Sequence, residues 1–553
     1  MPMSNSDDRA EAIIKRFDYA VGLRGNWETQ WEAIAKRILP NYSGSFNSGG
    51  LTRSQGEDRT TEMIDATGAI ALPKFAAVAE YLLTPRTSIW QKVVPTDRKL
   101  LKNRMTKLWF EEVTDILFKY RYAAKANYAS QKFETYLGLG AFGTGCLFTD
   151  ALKGGGLRFR AIHLGEVYFL ENHQGIIDTA FRKFPLTARQ ACQWFGMEKV
   201  PAKIRECMKD TSQPANMDKT FYFIHCVGPR EDYDSARMDM KGMAFSYEYV
   251  NVEEKAVVKE EGYNSFPYSI SRYVQAPGEL YGRSPAMIAL PSLKTLNEQK
   301  KTVLKQGHRA IDPVLLAHDD GIIDTFSLKP GVINAGGVSA EGRPLVHALP
   351  VGNLALAKEM MEAETVIIKD VFLISLFQIL IETPQMTATE VIERTREKGV
   401  FLSPLMGRQT SEALGPEGER AIDLLAQQGL LPPMPPMLRE AKGEYNFEYD
   451  SPMSRAQKAE NAAGLFRTVD WLTATINITQ DASLLDHINW DEAVPEILDI
   501  QAVPARWQRS IESVQEIRAG RKQAMNDQKM VDAAPAMASV MKNVMPAGAG
   551  AAR

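Results

Sequence analysis

The N-terminal part of the chain carries apolar residues at helical spacing. The residues at positions i, i+4, i+7 and i+11 of one helical face are Trp27, Trp31, Ile34 and Ile38. This spacing predicts an amphipathic helix over residues 8–39, ended by Pro40, whose aromatic stripe packs on a core. Helical pattern returns over residues 61–83, is broken by Thr84-Pro85, and resumes over residues 97–120.

The pattern changes over residues 157–273, where β-branched and aromatic residues alternate roughly with polar ones. The segments that alternate are LRFRAIHLGEVYFLE, IIDTAFRKF, FYFIHCVG and FSYEYVNVEEKAVVKEEGY. Residues 172–175 (NHQG) predict a hairpin turn between the first two. Thr187 with Gln190 predicts a capping box that opens a short helix, with Gly196 as its stop. Because turns join consecutive strands, we predict an α+β domain with antiparallel strands.

A long helical pattern then runs from Pro285 or Pro291 to about Ile311, and Pro313 ends it. About 20–26 residues at a rise of 1.5 Å predict a rod of roughly 30–40 Å. One side of this helix carries Leu293, Leu296, Lys300, Val303 and Leu304, and another carries Lys294, Glu298, Lys301, Lys305 and Arg309. The cations of both sides, set against the one glutamate, give a local charge of about +4 in a slightly acidic chain.

A compact insert separates this helix from a second one. Residues 312–352 are rich in Gly and Pro and predict short strands and turns, and a second long helix is predicted over residues 354–380. Pro384 marks a short loop. Thr387 with Glu390 then predicts a capping box that opens a third helix.

The C-terminal part is less regular. A Pro-rich break falls at residues 431–436, the pattern over residues 437–507 is mixed, and the Ala- and Met-rich end predicts a weakly helical or disordered tail. A chain of 553 residues with 44% apolar and 24% charged residues is typical of a folded protein with two to four modules. Its net charge of −3 argues against nucleic-acid binding over the whole surface, although a local basic stripe is compatible with it.

The cysteines and the apolar runs limit further which class of protein the chain can belong to. Cys146, Cys192, Cys207 and Cys226 are far apart and form no C-x-x-C pair, so we expect reduced cysteines and no structural zinc. The longest near-continuous apolar run, residues 371–381, has about 11 residues against the roughly 20 that a membrane-spanning helix needs. We therefore predict a buried helix or a subunit interface there, and no contact with a membrane.

The chain lacks the motifs of common catalytic sites. Gly138, Gly140 and Gly143 match G-x-G-x-x-G, but a helical pattern precedes them and a strand-like segment follows, the reverse of a dinucleotide-binding fold. A closely packed helix-to-strand turn explains these glycines. No P-loop, H-E-x-x-H or G-x-S-x-G motif occurs, and the acidic residues 319–324 lack the ligand spacing of a calcium loop. We therefore predict no enzyme activity, no cofactor and no metal.

Several stretches resemble the head-to-tail connector (portal) proteins of short-tailed bacteriophages. In chain order they are the N-terminal helix with Trp27 and Trp31 ending at Leu39-Pro40, LLTPRTSIWQKVVP (82–95), VYFLENHQGIIDTAFRKFPLTARQACQWFG (167–196), YGRSPAMIALPSLKTLN (281–297), MTATEVIERTREK (386–398) and YDSPMSRAQK (449–458). No single stretch is diagnostic of a chemistry, but their order and coverage are specific. The C-terminal part matches least.

The resemblance implies a mainly helical α+β portal fold, assembled as a ring of usually twelve subunits. The regions it implies are the wing (1–284), the first stem helix (285–311), the clip (312–352), the second stem helix (353–381), the tunnel loop (382–386), the wing helix region (387–436), the crown (437–504) and a C-terminal barrel helix or disordered tail (505–553). On this plan the tunnel loop comprises Glu382, Thr383, Pro384, Gln385 and Met386.

The resemblance also implies a function. A ring at one vertex of the capsid would form the channel for double-stranded DNA during packaging and ejection, and it would exist in the host cytoplasm during assembly. The implied partners are a terminase that supplies ATP hydrolysis, a tail adaptor, scaffold or internal core proteins and the major capsid protein. The alternatives are another virion ring, such as a tail tube or nozzle, and an enzyme with an unfamiliar site in the α+β domain.

Two sets of charged residues are the candidate site residues. Lys294, Lys301, Lys305 and Arg309 share one helical face, and we expect them to line the DNA channel. They are equally compatible with a solvated helix side, or with salt bridges to Glu359, Glu362 or Glu364 on the second stem helix. In the clip, Asp319, Asp320 and Asp324 contribute to a local negative charge, so we expect them to dock a basic face of a partner.

Overall fold

The fold is described from a computed structural model and comprises two compact units. The first unit contains residues 1–90 and 116–431, and the second contains residues 91–115 and 432–553. The residues that the structure describes are 6–46, 56–209, 214–317, 327–350, 352, 354–375, 407–440, 443–450, 452–479, 486–500, 503, 505–509 and 513–528.

The N-terminal segment of the first unit forms two helices, α1 (Ser6–Gly22) and α2 (Gly25–Ile38). The break lies at Arg24, which is fully buried and donates hydrogen bonds to the carbonyl oxygens of Leu164 (2.6 Å) and Val167 (2.7 Å). The single helix predicted from the sequence is therefore wrong at this point. Buried peptide carbonyls need a donor, and the guanidinium supplies N–H groups to the sheet that follows.

The aromatic face predicted for this segment is confirmed. Trp31 is fully buried, and its Nε1–H donates to the carbonyl oxygen of Phe142 at 3.0 Å. The ring of Tyr281 meets Trp31 edge to face at 5.2 Å, an arrangement that aromatic pairs prefer. The N-terminal helices are thereby joined to the residues that precede the long helix starting at Pro285.

The next elements are helical with one strand between them. They are α3 (Thr67–Leu83), β1 (Gln91–Pro95), α4 (Arg104–Arg121) and α5 (Tyr128–Phe142). The two helices predicted from the pattern over residues 61–83 and 97–120 are confirmed, although both begin later than predicted. Their N-terminal ends are shortened by irregular chain around Asp65 and by a short 3-10 turn over Arg98–Lys102.

Eight consecutive strands of the first unit form two antiparallel sheets. Strands β2 to β9 span Thr144–Ala151, Leu157–Ala161, Val167–Glu171, Ile177–Thr187, Thr220–Pro229, Phe245–Asn251, Ala256–Tyr263 and Tyr268–Arg272. The orders are β3-β2-β9 and β4-β5-β6-β7-β8. The predicted α+β fold is confirmed. The predicted hairpin at residues 172–175 joins β4 to β5, with Gly175 N donating to Asn172 O at 3.0 Å.

Helices cover both faces of the five-stranded sheet. On one face α1 packs through Phe17, whose ring lies 5.0 Å from that of Tyr168. On the other lie α6 (Ala188–Phe195) and α7 (Ala202–Lys209). The predicted capping box is present, because Thr187 and Gln190 each accept a hydrogen bond from the other's backbone N–H.

Two antiparallel helices, with an insert between them, form the part of the fold that carries the predicted site residues of α8. Helix α8 spans Pro285–Ile311, the bounds predicted from the sequence, and β10 (Leu315–Ala317) pairs with β11 (Val346–Ala348) within the insert. Helix α9 begins at Leu354 as predicted but ends at Val371. The continuous helix predicted through residue 380 is wrong here. Leu373 has φ 60°, and the turn directs Phe372 into the core against Phe75, with the rings 6.3 Å apart.

The first unit closes with α10 (Gly415–Gln427), preceded by a π-helical turn over Thr410–Leu414. In the second unit, β1 pairs antiparallel with β12 (Tyr445–Tyr449). Besides this ribbon the second unit carries α11 (Pro436–Glu440), α12 (Pro452–Thr479) and α13 (Trp490–Ile500).

Candidate functional site

The N-terminal end of α8 is fixed in place by the motif at residues 281–297. Ser284 caps the helix, since its Oγ accepts from the N–H of Met287 at 3.0 Å and donates to the carbonyl oxygen of Ala141 at 2.9 Å. Gly282 lies so close to Gly143 that a Cβ added at Gly282 would stand 2.2 Å from the Gly143 carbonyl oxygen. The motif therefore clamps the start of the helix onto the end of α5.

The glycine pattern that mimics a dinucleotide fingerprint belongs to the same clamp. Helix α5 precedes Gly143 and strand β2 follows it, and Gly143 has φ 78°, a conformation that favours glycine. A Cβ on Gly140 would meet the side chains of Leu72 and Phe75 at 2.7 Å. The interpretation as a packed helix-to-strand turn is confirmed.

The inner half of α8 is buried. Leu293 and Leu296 lie in the main core, and Asn297 beside them uses its side-chain amide as both acceptor and donor. Its Oδ1 accepts from the backbone N–H groups of Ile64 and Asp65, both at 2.9 Å, and its Nδ2 donates to the carbonyl oxygen of Glu62 at 2.9 Å. A polar side chain on an apolar face was the only signal of this contact in the sequence.

Lys300, which lies on the apolar side of α8, forms an ion pair inside the chain. Its Nζ donates to Asp65 Oδ2 at 3.0 Å. Burial of Asp65 opposes its ionisation, but hydrogen bonds from Thr67 and from Lys300 still hold the pKa of Asp65 below its usual range. The sequence-based charge count included Lys300, so the charge that α8 can offer to a ligand is smaller than predicted.

The four predicted channel residues are all exposed. Lys294, Lys301, Lys305 and Arg309 follow one another along one face of α8. Lys301 lies 3.8 Å from Glu298 on the same helix, a loose pair between exposed side chains that contributes little to stability. No other ion pair involves these four within the described part of the chain. Each side chain is therefore available to a partner from outside the subunit.

The bridging alternative finds no support within one subunit. Among the residues described, none of these four cations pairs with Glu359, Glu362 or Glu364 of α9, and Glu362 instead lies 3.7 Å from Lys358. In Glu364 one carboxylate oxygen is buried without a hydrogen-bond partner. The outer parts of α8 and α9 thus pack through side chains other than these charges.

The insert, residues 312–352, is exposed along its strands. Its backbone is held by the β10–β11 pair and by the hydrogen bond from Leu349 N to Val314 O at 2.9 Å. Apolar side chains remain in solvent, among them Leu328, Val332 and Ile333. The predicted docking residues Asp319, Asp320 and Asp324, and the predicted tunnel-loop residues Glu382, Thr383, Pro384, Gln385 and Met386, lie outside the described residues.

The described residues offer no metal centre. They contain no group of His, Cys, Asp and Glu placed to hold a metal ion. Burial raises the pKa of Cys226 to about 12 and raises that of Cys146 further, so neither thiol forms a nucleophilic thiolate. In the portion of the chain that can be described, none of the helices has the length and apolar character needed to cross a membrane.

Helix α8 is long, is fixed at its N-terminal end and carries exposed cations. It runs antiparallel to α9, and a small exposed insert joins the two helices. This arrangement is the one expected of a connector. The chain belongs to the family described as bacteriophage head to tail connecting protein, whose sequence profile matches residues 10–507. It is 27% identical over 497 residues to the probable portal protein of Bordetella phage BPP-1, covering 88% of this chain and 87% of that protein. It is 24% identical over 539 residues to the portal protein of Salmonella phage epsilon15, covering 96% and 94%. The expected function as a phage portal protein, a component of the virion, is thereby confirmed.

Proposed function

We propose that the chain assembles into a ring of twelve subunits in which α8 and α9 form the stem around a channel for double-stranded DNA. The observation that carries this proposal is the outer half of α8, which packs against α9 but keeps apolar and basic side chains in solvent. From Glu298 to Ile311 no side chain of the helix is buried, although Leu304 and Ile311 are apolar. A helix with such a surface gains stability when neighbouring copies cover it.

The apolar residues of α9 support the same assembly. Met360, Val366 and Ile367 are about half exposed in the single subunit, although α9 packs against α8. Within the described part of the subunit, no other element covers the exposed half of these side chains. Neighbouring copies around a ring would bury them against the outer half of α8.

The cations provide the functional surface of this ring. Lys294, Lys301, Lys305 and Arg309 would border the channel, where they attract phosphates without reading sequence. Such contacts are weakened by salt and allow DNA to slide. The absence of a P-loop in the sequence fits a division of labour in which a separate terminase hydrolyses ATP.

The insert would be the docking surface for the terminase and then for the tail adaptor. Its exposed apolar side chains are available to such partners, and Asp319, Asp320 and Asp324 would add charge that fits a basic partner face. Scaffold or internal core proteins and the major capsid protein would bind elsewhere on the ring. Assembly would take place in the host cytoplasm before the protein becomes part of the capsid vertex.

The double variant Lys301→Ala/Lys305→Ala tests the channel. We expect rings of normal appearance by negative-stain microscopy, together with altered DNA packaging. The slope of log affinity for duplex DNA against log salt should decrease by roughly 0.9 for each phosphate that the variant no longer binds. The matched control is Lys203→Ala/Lys209→Ala on α7, which removes the same charge from exposed positions of the wing and should leave the slope unchanged.

Two results would count against the proposal. Weakened rings with an unchanged salt slope would mean that the lysines bridge to acidic residues of a neighbouring subunit. A stable monomer at all protein and salt concentrations would exclude the ring itself.

A further inference from the structure

A cavity of about 530 Å³ lies in the first unit, between α6 and the hairpin that joins β2 to β3. Its charged wall is formed by Lys153, Arg160, Arg182 and Glu166, and its opposite wall by Gln190, Gln193 and Trp194 of α6 together with apolar residues of β5. This volume is within the range typical of ligand-binding pockets. Neither the stem nor the insert contributes to it.

The charges in this cavity do not balance. Arg182 is nearly buried and pairs with Glu166, with Nη2 and Oε2 3.1 Å apart. Lys153 and Arg160, by contrast, form no ion pair or side-chain hydrogen bond with any other residue that the structure describes. Partial burial lowers the pKa of Arg160 below its usual range, and the charge of Arg182 lowers it further. Lys153 and Arg160 are thus two solvent-exposed cations that line the cavity, and its one carboxylate already pairs with Arg182.

The wall opposite the cations is preorganised and partly apolar. Trp194 is 46% exposed, yet its ring is stacked on Phe195 at 4.8 Å and meets Tyr249 edge to face at 5.1 Å. A half-exposed indole held in place from behind offers contact area at little entropic cost, as aromatic residues do at protein interfaces. Gln190 uses its Oε1 in the capping box of α6, and the amide of Gln193 adds a polar group to the same wall.

We propose that this cavity is a docking site for an acidic segment of a protein partner. A carboxylate of the segment binds Lys153 and Arg160, and an adjacent apolar residue packs on Trp194. Duplex DNA fits the site less well. Its phosphates form a continuous line with one charge per about 1.7 Å of axis, which calls for a long basic track and not for a short, open pocket that also contains Glu166.

The experiment measures fluorescence anisotropy on the full chain with three labelled probes. They are a short peptide of alternating glutamate and leucine, the same peptide with glutamine in place of glutamate, and a short single-stranded oligothymidine. We expect the glutamate peptide to bind at low salt, and the other two to bind at least about tenfold more weakly. Lys153→Ala/Arg160→Ala should weaken binding of the glutamate peptide by about tenfold, the effect of removing two partly exposed ion pairs.

Matched variants distinguish peptide binding at the cavity from general charge attraction and from the effects of misfolding. Arg158 lies on the same strand but outside the cavity, where it donates to the carbonyl oxygen of Lys125 at 3.0 Å, so Arg158→Ala should leave peptide binding unchanged. Trp194→Ala should weaken binding, and Trp194→Phe should largely restore it. The proposal would be overturned if Arg158→Ala weakened peptide binding as much as the double variant does. It would also be overturned if the glutamate peptide did not bind, or if the oligothymidine bound equally well at the cavity. Because the proposal involves none of the stem cations, its failure would leave the proposed channel intact.

Discussion

The inner and outer halves of α8 belong to one helix and differ in what surrounds them. Over residues 285–297 the helix is capped, clamped and buried, and Asn297 satisfies three backbone groups of another segment. Over residues 298–311 every residue is half-buried or exposed: Lys300 pairs with Asp65, whereas Lys301, Leu304 and Ile311 face solvent. The subunit core thus ends near Lys300, and the ring proposed above would cover the apolar side chains beyond it.

The same contrast holds for charges. In the first unit Glu417 is fully buried, yet its Oε2 lies 2.7 Å from Nζ of Lys132 and its Oε1 lies 3.8 Å from Nε of Arg121. Arg121 also lies over the ring of Trp90 at 4.8 Å. The buried charges of this triad are matched within the chain, whereas Lys301, Lys305 and Arg309 of the outer helix are exposed to solvent.

The largest expected effect is in this buried triad. Glu417→Gln would remove the carboxylate that pairs with the buried Lys132 and lies close to Arg121, so we expect a loss of about 3–5 kcal/mol in the free energy of unfolding, measured by urea denaturation. The same substitution in the outer region, Glu359→Gln on α9, removes an exposed charge and should cost less than about 0.5 kcal/mol. Similar losses in the two variants would show that the contrast between the regions is not energetic.

A smaller effect is expected at the clamp that roots α8. In Gly143→Ala the new Cβ would stand 2.1 Å from the carbonyl oxygen of Gly282, at a φ of 78° that disfavours alanine. We expect the free energy of unfolding, measured by the same denaturation, to fall by about 3 kcal/mol. Gly138→Ala is the control, since its Cβ would meet only Thr144 O at 3.6 Å within a helix, where alanine is preferred. If the two variants have the same free energy of unfolding, the N-terminal end of α8 is not held rigidly.

The smallest effect is expected at the boundary between the halves. Asp65→Asn removes the charge that pairs with Lys300, and we expect a loss of about 1 kcal/mol at pH 7. The folded pKa of Asp65 is depressed, so its contribution is present above the ordinary aspartate pKa of about 3.9 and is lost as pH falls through the folded pKa. Unfolding curves of the two proteins should therefore converge below about pH 4. A constant difference down to acid pH would assign the effect to something other than this charge.

Local signals in the sequence predicted the elements that matter for the stem. Pro285 and Pro313 bracket α8, and the capping box at Thr187 and the hairpin at residues 172–175 are present as predicted. These features depend on neighbours within a few residues. The break at Arg24 and the end of α9 at Val371 were missed because each is imposed by a distant partner, the sheet carbonyls in one case and the core around Phe75 in the other.

The candidate site was predicted in part for the same reason. Helical spacing alone places Lys294, Lys301, Lys305 and Arg309 on one face, and the structure leaves all four exposed. Helical spacing could not reveal that Lys300 pairs with Asp65, a residue 235 positions away. The basic cavity beside Trp194 brings together residues from separate strands and a helix, and no periodicity in the sequence marks such a grouping.

The pairing of β1 with β12 has a consequence for how the protein is made. Gln91 and its partner Tyr449 are 358 positions apart, and most of the first unit is synthesised between them. At about 5–20 residues per second, β1 waits roughly 20–70 s on the ribosome before its partner emerges. During that interval an unpaired strand edge, with Val93 and Val94 in its centre, is open to association between nascent chains. The interval between synthesis of β1 and synthesis of β12 is therefore the stage at which we expect this strand to be most open to aggregation.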